Sequence, residues 1–211
     1  MNNYDYIVIG AGSAGCVVAN RLTEDPDTTV LLLEAGNPDT KPEIQIPMEC
    51  PLLLGSEVEW GYFAEPEPYL NDRQILCSRG KVLGGSSSIN FMYYVRGNPH
   101  DYDHWQELGN PGWSYRDMLP YFKKSEHQQR GADAYHGVDG ELSVTDLIAP
   151  TVISQRFVDA AISLGYEYNP DFNGAQQQGV GSYQFTIKDG KRHSAAAAFL
   201  VPILQRPNLT V

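Results

Sequence analysis

Residues 6–15, YIVIGAGSAG, place a short apolar run directly before three glycines at fixed spacing. The run Tyr6–Ile9 is rich in β-branched side chains, which is typical of a buried central strand in a parallel sheet. Gly10, Gly12 and Gly15 follow in the order G-x-G-x-x-G, and we expect a helix from about Ser13. The first glycine of this pattern allows a sharp turn, the second lets a pyrophosphate approach the backbone, and the third lets helix and strand pack closely. Because free N–H groups at the helix start would face the phosphates, the segment predicts a dinucleotide site.

A second apolar run, Val30–Leu33, predicts another strand, and it ends in Glu34. An acidic residue about twenty positions beyond the glycines accepts hydrogen bonds from the adenosine ribose hydroxyls in dinucleotide-binding folds. Its carboxylate would repel a 2′-phosphate, which disfavours NADP. The pattern therefore predicts an ADP-containing dinucleotide, with a purely structural strand–turn–helix as the alternative. These residues do not distinguish FAD from NAD.

Composition excludes several other classes of protein. The chain has 26 Asp and Glu against 15 Lys and Arg, which disfavours nucleic-acid binding and favours a small-molecule ligand. Its three cysteines have no C-x-x-C spacing, so we expect neither a disulfide framework nor a zinc site, and we expect a reducing compartment. No apolar run has the length of a membrane span, and the N-terminus does not resemble a signal peptide. We therefore expect a cytoplasmic protein and leave peripheral membrane association open.

Residues 79–97, RGKVLGGSSSINFMYYVRG, combine glycines and serines with apolar residues. Gly84 and Gly85 lack the Cβ atoms that would block a close ligand, and residues 86–88 and Asn90 offer hydrogen-bonding groups. A flexible linker would lack the apolar interruptions, and we expect residues 91–95 to form a buried strand or helical turn. The segment predicts a second backbone platform for a long cofactor. A structural turn is the alternative, whereas a hydrolase nucleophile is disfavoured because no G-x-S-x-G pattern or partner base is present.

The chain resembles the glucose–methanol–choline (GMC) oxidoreductase family, in its choline dehydrogenase and aliphatic alcohol dehydrogenase branch. The resemblance covers essentially the whole chain and is carried in order by GAGSAG, LLLEAG, RGKVLGGSSSIN, GWSYRDMLPYFKKSE and KDGKRHSAAAAFLVPILQRPNLTV. It implies an α/β fold: a Rossmann-like FAD-binding domain with the start of an α+β substrate-binding domain, truncated. It also implies oxidation of a primary alcohol to the aldehyde by hydride transfer to flavin N5, with an unidentified electron acceptor.

The resemblance assigns cofactor contacts to thirteen positions. The pyrophosphate would lie against Gly10, Gly12, Ser13 and Gly15, the adenosine against Glu34 and Ala35, the phosphates and ribityl chain against Val82, Gly84, Gly85 and Ser86, and the isoalloxazine near Asn90, Phe91 and Met92. This chain departs from the family twice. Ile89 stands where some members carry the His that binds FAD covalently, so we expect non-covalent FAD. Phe91 stands where many members carry Gly.

We expect the FAD-binding domain to comprise residues 1–140, with the dinucleotide unit at 1–36, a cofactor-covering segment at 37–78 and a flavin cradle at 79–100. Residues 141–192 would begin the substrate-binding domain, and residues 193–211 would return to the FAD-binding domain. In the covering segment, Trp60 and Tyr62 are predicted packing anchors. Short helices are predicted within residues 101–127, and their larger aromatic side chains are predicted core: Trp105, Trp113, Tyr121 and Phe122.

No catalytic residue or metal ligand is predicted in this chain. The family's catalytic base is a His of the C-terminal part, and none of the five histidines here lies in a matching segment. We expect each of them to be a surface or hydrogen-bonding residue. The chain is therefore interpreted as the N-terminal FAD-binding portion of an alcohol-oxidising flavoenzyme, inactive alone. An NAD-dependent dehydrogenase and a non-catalytic truncated remnant are the alternatives.

Overall fold

The computed structural model describes residues 3–211, which form two compact units. The first comprises the chain up to Met92 together with Asp189–Val211, and the second is Tyr93–Lys188. Both contain helices and short strands, which confirms the α/β class. The domain limits at 140 and 192 concern cofactor and substrate binding, so they stay a prediction.

Five α-helices and eleven short strands are present in the described part of the chain. The helices are α1 (Ser13–Leu22), α2 (Pro42–Gln45), α3 (Pro99–Glu107), α4 (Tyr115–Ser125) and α5 (Val152–Ser163). The strands are β1 (Tyr6–Ile9), β2 (Val30–Leu33), β3 (Tyr62–Phe63), β4 (Leu76–Cys77), β5 (Tyr93–Tyr94), β6 (Glu126–Gln128), β7 (Leu142–Val144), β8 (Gln184–Phe185), β9 (Ile187–Lys188), β10 (Lys191–Arg192) and β11 (Leu209–Thr210). Short 3₁₀ helices span Pro47–Leu53, Pro68–Leu70, Gly85–Ser88 and Val201–Ile203.

The main sheet of the first unit is parallel, with strand order β1-β2-β11. The predicted bounds of β1 and β2 and the predicted start of α1 are confirmed. The predicted burial of β1 is wrong, because Ile7 and Ile9 are 59% and 86% exposed. The reason is the position of β1 at the edge of this sheet, where the described residues pair it with β2 alone.

A hydrophobic cluster forms the base of the predicted cradle. It consists of Ile44, Leu53, Val58, Val82 and Ile89, each at most 6% exposed. Two of these residues, Val82 and Ile89, flank the 3₁₀ helix Gly85–Ser88, so this helix is attached to packed core on both sides. The side chain at position 89, which carries no histidine here, is therefore part of the core.

In the C-terminal part of the first unit, a π-helical turn at Ala196–Leu200 is followed directly by the 3₁₀ helix Val201–Ile203. Pro202 lies in the 3₁₀ part, and its missing N–H prevents the regular α-helical hydrogen bond. The turn is anchored on α1, since Asn20 donates a hydrogen bond from Nδ2 to the Phe199 carbonyl at 2.6 Å.

In the second unit, β6 pairs with β7 in parallel and β5 pairs with β8 antiparallel. The helices predicted within residues 101–127 are confirmed as α3 and α4, and a capping box begins each of them. The prediction of core aromatics is wrong for Trp105, Trp113 and Tyr121, which are 45%, 50% and 64% exposed, whereas Phe122 is half-buried. The two tryptophans pack on each other at 6.1 Å between ring centroids, so they form a surface cluster.

Residues 91–95 do not form a buried element: only Tyr93–Tyr94 are in a strand, and Phe91 and Val95 are each 45% exposed. Among residues 3–211, no helix is long and apolar enough to cross a membrane.

Candidate cofactor-binding site

The glycine turn after β1 has the geometry that the sequence pattern predicts. Gly10 adopts a left-handed φ of +94°, and a Cβ on Gly15 would collide with the Gly10 carbonyl. Gly12 has open space around its would-be Cβ, and it precedes α1 without a side-chain cap. No acidic residue occupies the first turn of α1. The first N–H groups of this helix are thus left for an anionic ligand, as a bound pyrophosphate requires.

Glu34 holds the glycine turn in place from the end of β2. Its Oε2 accepts a hydrogen bond from the Ala11 N–H at 2.8 Å, and its Oε1 accepts one from the Gly36 N–H at 2.9 Å. Each carboxylate oxygen has a second lone pair, so both can still accept hydrogen bonds from ribose hydroxyls. Two backbone donors therefore orient the carboxylate before any ligand is bound.

The second platform, which is centred on the 3₁₀ helix Gly85–Ser88, lies directly against the glycine turn. About seventy residues separate the two segments in sequence. Gly84 donates its N–H to the Ala11 carbonyl at 2.7 Å. At Gly85, which has a φ of +54°, a Cβ would lie only 2.7 Å from the Gly12 Cα. The two glycine-rich segments thus form one continuous backbone surface, and any side chain at position 85 would separate them.

The three serines of the platform have different surroundings. Ser87 Oγ donates to the Gly84 carbonyl at 2.6 Å, and Ser88 Oγ donates to the Leu83 carbonyl at 2.7 Å. Ser86 is exposed, and its Oγ accepts a hydrogen bond from the Gly80 N–H at 3.1 Å. Two hydroxyls therefore hold the loop together and one faces outward. Within residues 3–211, none of these hydroxyls contacts a histidine or carboxylate side chain, so the geometry gives no support to a hydrolase triad.

A cavity of about 780 Å³ opens over this joint surface. This volume lies within the range of small-molecule and cofactor sites. Seven predicted contact residues line it: Gly10, Gly12, Ser13, Glu34, Ala35, Gly85 and Ser86. Gly15, Val82 and Gly84 do not line the cavity. Gly15 packs against Gly10 within the turn, Val82 belongs to the hydrophobic cluster, and Gly84 joins the platform to the turn.

Five further side chains line the cavity and were not assigned to it from the sequence: Ile9, Leu33, Trp60, Tyr62 and Arg79. Trp60 and Tyr62 stack with ring centroids 5.6 Å apart and are 41% and 50% exposed, so they are not the packing anchors that we predicted. The W-x-Y spacing could have indicated this, because alternate residues of an extended strand share one face. Arg79 adds a positive charge to a wall that would face phosphates.

Asn90, Phe91 and Met92 do not line this cavity. The Asn90 backbone is tied to the platform, since its N–H donates to the Ser86 carbonyl at 2.9 Å. Asn90 and Phe91 are exposed, whereas Met92 is 3% exposed and adopts a left-handed φ of +61°. If these residues contact a flavin ring, Asn90 and Phe91 are the two whose side chains are accessible.

The second unit contains a buried polar cluster that the sequence did not reveal. Its centre is His136, with Nδ1 3.0 Å from Glu126 Oε1 and Nε2 2.9 Å from Asp171 Oδ2. Arg96 Nη2 donates to Glu126 Oε2 at 2.9 Å. The hydrogen bond with Glu126 is the main cause of a raised pKa at His136. Within residues 3–211 no group of His, Cys, Asp or Glu side chains is placed to hold a metal ion.

The amino-acid sequence of this chain is similar to those of known proteins. The profile of the family described as GMC oxidoreductase matches residues 4–211. An "alcohol dehydrogenase [acceptor]" of Pseudomonas putida is 49% identical over 99% of this chain and 38% of the relative. An "oxygen-dependent choline dehydrogenase" of Sinorhizobium fredii is 47% identical over 97% of this chain and 38% of the relative. The chain thus spans 38% of the length of these relatives.

Solved structures give the same result. Pyridoxine 4-oxidase from Mesorbium loti superposes with a TM-score of 0.94 and 36% identity, over 99% of this chain and 42% of that one. An FAD-dependent oxidoreductase from Chaetomium thermophilum superposes with a TM-score of 0.89 and 33% identity, over 99% of this chain and 38% of the other.

Proposed function

Because this chain belongs to the GMC oxidoreductase family, we propose that it binds FAD non-covalently and forms the cofactor-binding part of an oxidoreductase that acts on a primary alcohol. The observation that carries the proposal is the contact between the glycine turn and the platform Gly85–Ser88 beside Glu34. NAD ends in a nicotinamide riboside and would leave the second platform unused. FAD has a longer ribityl–isoalloxazine arm, for which a second backbone surface is suited.

The residues of this chain would bind and orient the cofactor. The open N-terminus of α1 and Arg79 would receive the pyrophosphate, and Glu34 would accept hydrogen bonds from the ribose. Bound FAD would supply the hydride acceptor, N5, for oxidation of the alcohol. Ile89 is 2% exposed in the core cluster and carries no nucleophile, which supports non-covalent binding. The structure of a formate oxidase that is 29% identical to this chain is described in terms of FAD modification. The attachment of FAD to this chain is therefore tested directly below.

The proposed substrate is a primary alcohol, either choline-like or aliphatic, because the relatives named above are an alcohol dehydrogenase and choline dehydrogenases. We assign no catalytic base to this chain. The thiols of all three cysteines are free, which supports a reducing, cytoplasmic compartment.

The first test is the visible absorption spectrum of the 211-residue chain after incubation with FAD and removal of free ligand. We expect a flavin spectrum, and acid or heat should release the flavin because no covalent bond holds it. Titrations with NAD and NADP serve as comparisons. A folded chain that rejects FAD and binds NAD would overturn the proposal in favour of a nicotinamide-dependent enzyme.

The variant Gly12→Ala tests whether phosphates bind at the glycine turn. Position 12 has a φ of −77° and no atom within 4 Å of the added Cβ, so the unfolding midpoint should be unchanged. The new methyl group would stand where the pyrophosphate approaches the backbone. We expect FAD affinity to fall about tenfold, which is what a steric cost of about 1.4 kcal/mol produces. Unchanged affinity would show that phosphates do not bind at this turn.

A further inference from the structure

Arg192 is a buried cation beneath the cradle, and none of the sequence patterns drew attention to it. It is 3% exposed and connects three segments. Its Nε donates to the Ile44 carbonyl at 2.8 Å, and its Nη1 donates to the Ser87 carbonyl at 3.1 Å and to Asn90 Oδ1 at 2.9 Å. Its Nη2 is buried without a hydrogen-bond partner among residues 3–211. Burial lowers its pKa to about 10, so it is protonated at neutral pH and always a donor.

The contact with Arg192 determines which way the Asn90 amide points. Asn90 Oδ1 accepts hydrogen bonds from two groups that can only donate, namely Arg192 Nη1 at 2.9 Å and the Met92 N–H at 3.0 Å. A rotated amide would turn its NH₂ group toward both donors and lose both bonds. The carbonyl end of Asn90 is therefore directed inward. Its Nδ2, which has no partner among the described residues, is presented outward at an exposed position.

The same segment also fixes the platform next to Asn90. Three residues after Arg192, the Ala195 N–H donates to Ser87 Oγ at 2.9 Å. Ser87 is thus held through its carbonyl by the guanidinium and through its hydroxyl by the backbone. Because Asn90 is bonded to Ser86 and Arg192 is bonded to Ser87, the amide and the platform form one rigid unit.

We propose that Arg192 is a positioning residue of the flavin site: it holds the Asn90 amide so that Nδ2 donates a hydrogen bond to an acceptor atom of the isoalloxazine. This proposal rests on the proposed FAD binding. A donor fixed at the ring favours the electron-rich reduced flavin over the oxidised one, so Arg192 would raise the reduction potential through Asn90. A lysine at this position has a single nitrogen and cannot reach all three acceptors in the same geometry.

A double-mutant cycle tests the proposal on the full 211-residue chain loaded with FAD. The four proteins are wild type, Arg192→Lys, Asn90→Ala and the double variant. FAD dissociation constants, the positions of the visible flavin bands and the midpoint potential are measured for each. We expect Arg192→Lys to weaken FAD binding about fivefold, the value for one hydrogen bond, and to lower the potential. In the Asn90→Ala background the same substitution should change neither the bands nor the potential.

A merely structural role of Arg192 predicts a different result. Arg192→Lys would then lower the unfolding midpoint and change the flavin spectrum equally in both Asn90 backgrounds, and this outcome would overturn the inference. Arg96→Lys removes a buried guanidinium of the second unit and controls for lost stability, so it should leave the flavin bands unchanged. A folded wild type that binds no FAD overturns the proposed function as well, whereas a flavin-loaded wild type with additive effects overturns only this inference.

Asn90→Asp keeps the inference testable if Arg192→Lys does not fold. Position 90 is exposed, and a carboxylate still accepts the hydrogen bonds from Arg192 and Met92. It presents an oxygen in place of Nδ2. We expect weaker FAD binding and a lower midpoint potential at an unchanged unfolding midpoint. If the potential and the affinity equal those of wild type, Asn90 Nδ2 does not donate to the flavin.

Discussion

Single glycines control the distance between the two halves of the candidate site. Gly85 combines a left-handed φ of +54° with a would-be Cβ 2.7 Å from the Gly12 Cα. An alanine at this position would have to adopt a backbone conformation that costs about 1–2 kcal/mol. It would also push the platform away from the glycine turn. The platform is joined to the hydrophobic cluster through Val82 and Ile89, so it cannot move away easily.

We therefore predict that Gly85→Ala destabilises the chain and weakens FAD binding. Gly55→Ala is the matched control, because Gly55 has a similar φ of +71° but no atom within 4 Å of the added Cβ. Both variants carry the backbone cost, and Gly85→Ala alone carries the clash. Urea denaturation should show Gly85→Ala about 1–3 kcal/mol less stable than Gly55→Ala. Equal stabilities would mean that the two segments are not in tight contact.

The sequence predicted this part of the site because the relevant signals are local. The G-x-G-x-x-G pattern and Glu34 each lie at the end of a strand whose apolar run defines its position. Arg192 was not found, since its partners Ile44, Ser87 and Asn90 lie far away in the chain. No periodicity in the sequence indicates that position 192 would meet position 90.

Local sequence patterns predict the bounds of strands and helices in this chain but not their burial. The bounds of β1 and β2 and the start of α1 follow from apolar runs and glycines, and they agree with the structure. The exposure of Ile7 and Ile9 does not follow, because burial depends on which strands and helices lie alongside. The same reason explains the exposed tryptophans of α3 and its neighbouring loop.

The cluster around His136 connects β6 to two loops of the second unit and makes its stability depend on pH. The hydrogen bonds with Glu126 and Asp171 raise the pKa of His136 above its usual value of 6.5. A raised folded-state pKa stabilises the protonated folded form, so the contribution is complete below pH 6.5 and is lost as pH rises through the folded pKa. We predict that the free energy of unfolding of the second unit decreases from mildly acidic to alkaline pH. Hydrogen exchange at increasing urea concentration measures it.

His136→Gln should remove this pH dependence, because glutamine does not titrate. His127→Gln is the matched control, since His127 is an exposed neighbour on the same strand β6. The pKa values of Asp133 and Asp146 are lowered below the usual 3.8, so their effect on stability falls in a more acidic pH range. If His136→Gln keeps the wild-type profile above pH 6.5, another group causes it.

At the scale of the whole molecule, the proposed cofactor site lies entirely within one of the two units. All residues that line the cavity belong to the unit formed by the chain up to Met92 and Asp189–Val211. A ligand that binds only the folded state stabilises it by about 2.7 kcal/mol at a concentration of 100 times its dissociation constant. The stabilisation should be strongest where amides open together with the site.

We predict that FAD slows amide hydrogen exchange in α1 and in the 3₁₀ helix Gly85–Ser88. The helix α5 of the second unit is the internal reference and should exchange at the same rate with and without FAD. Mass spectrometry of peptides after timed exchange measures both. Equal protection of α5 would show that the two units open together, and no protection of α1 would contradict pyrophosphate binding at its N-terminus.

The hairpin of β3 and β4 also determines how this chain reacts with thiol reagents. Cys77 is exposed on β4 directly opposite Tyr62, which lines the cavity. Cys16 and Cys50 are buried, and burial raises the pKa of both, that of Cys16 to about 11. Only the thiolate reacts readily with a maleimide, and a buried thiol is also out of reach. A fluorescent maleimide will therefore attach at Cys77 alone, next to the cavity-lining Tyr62, where its emission can report what enters.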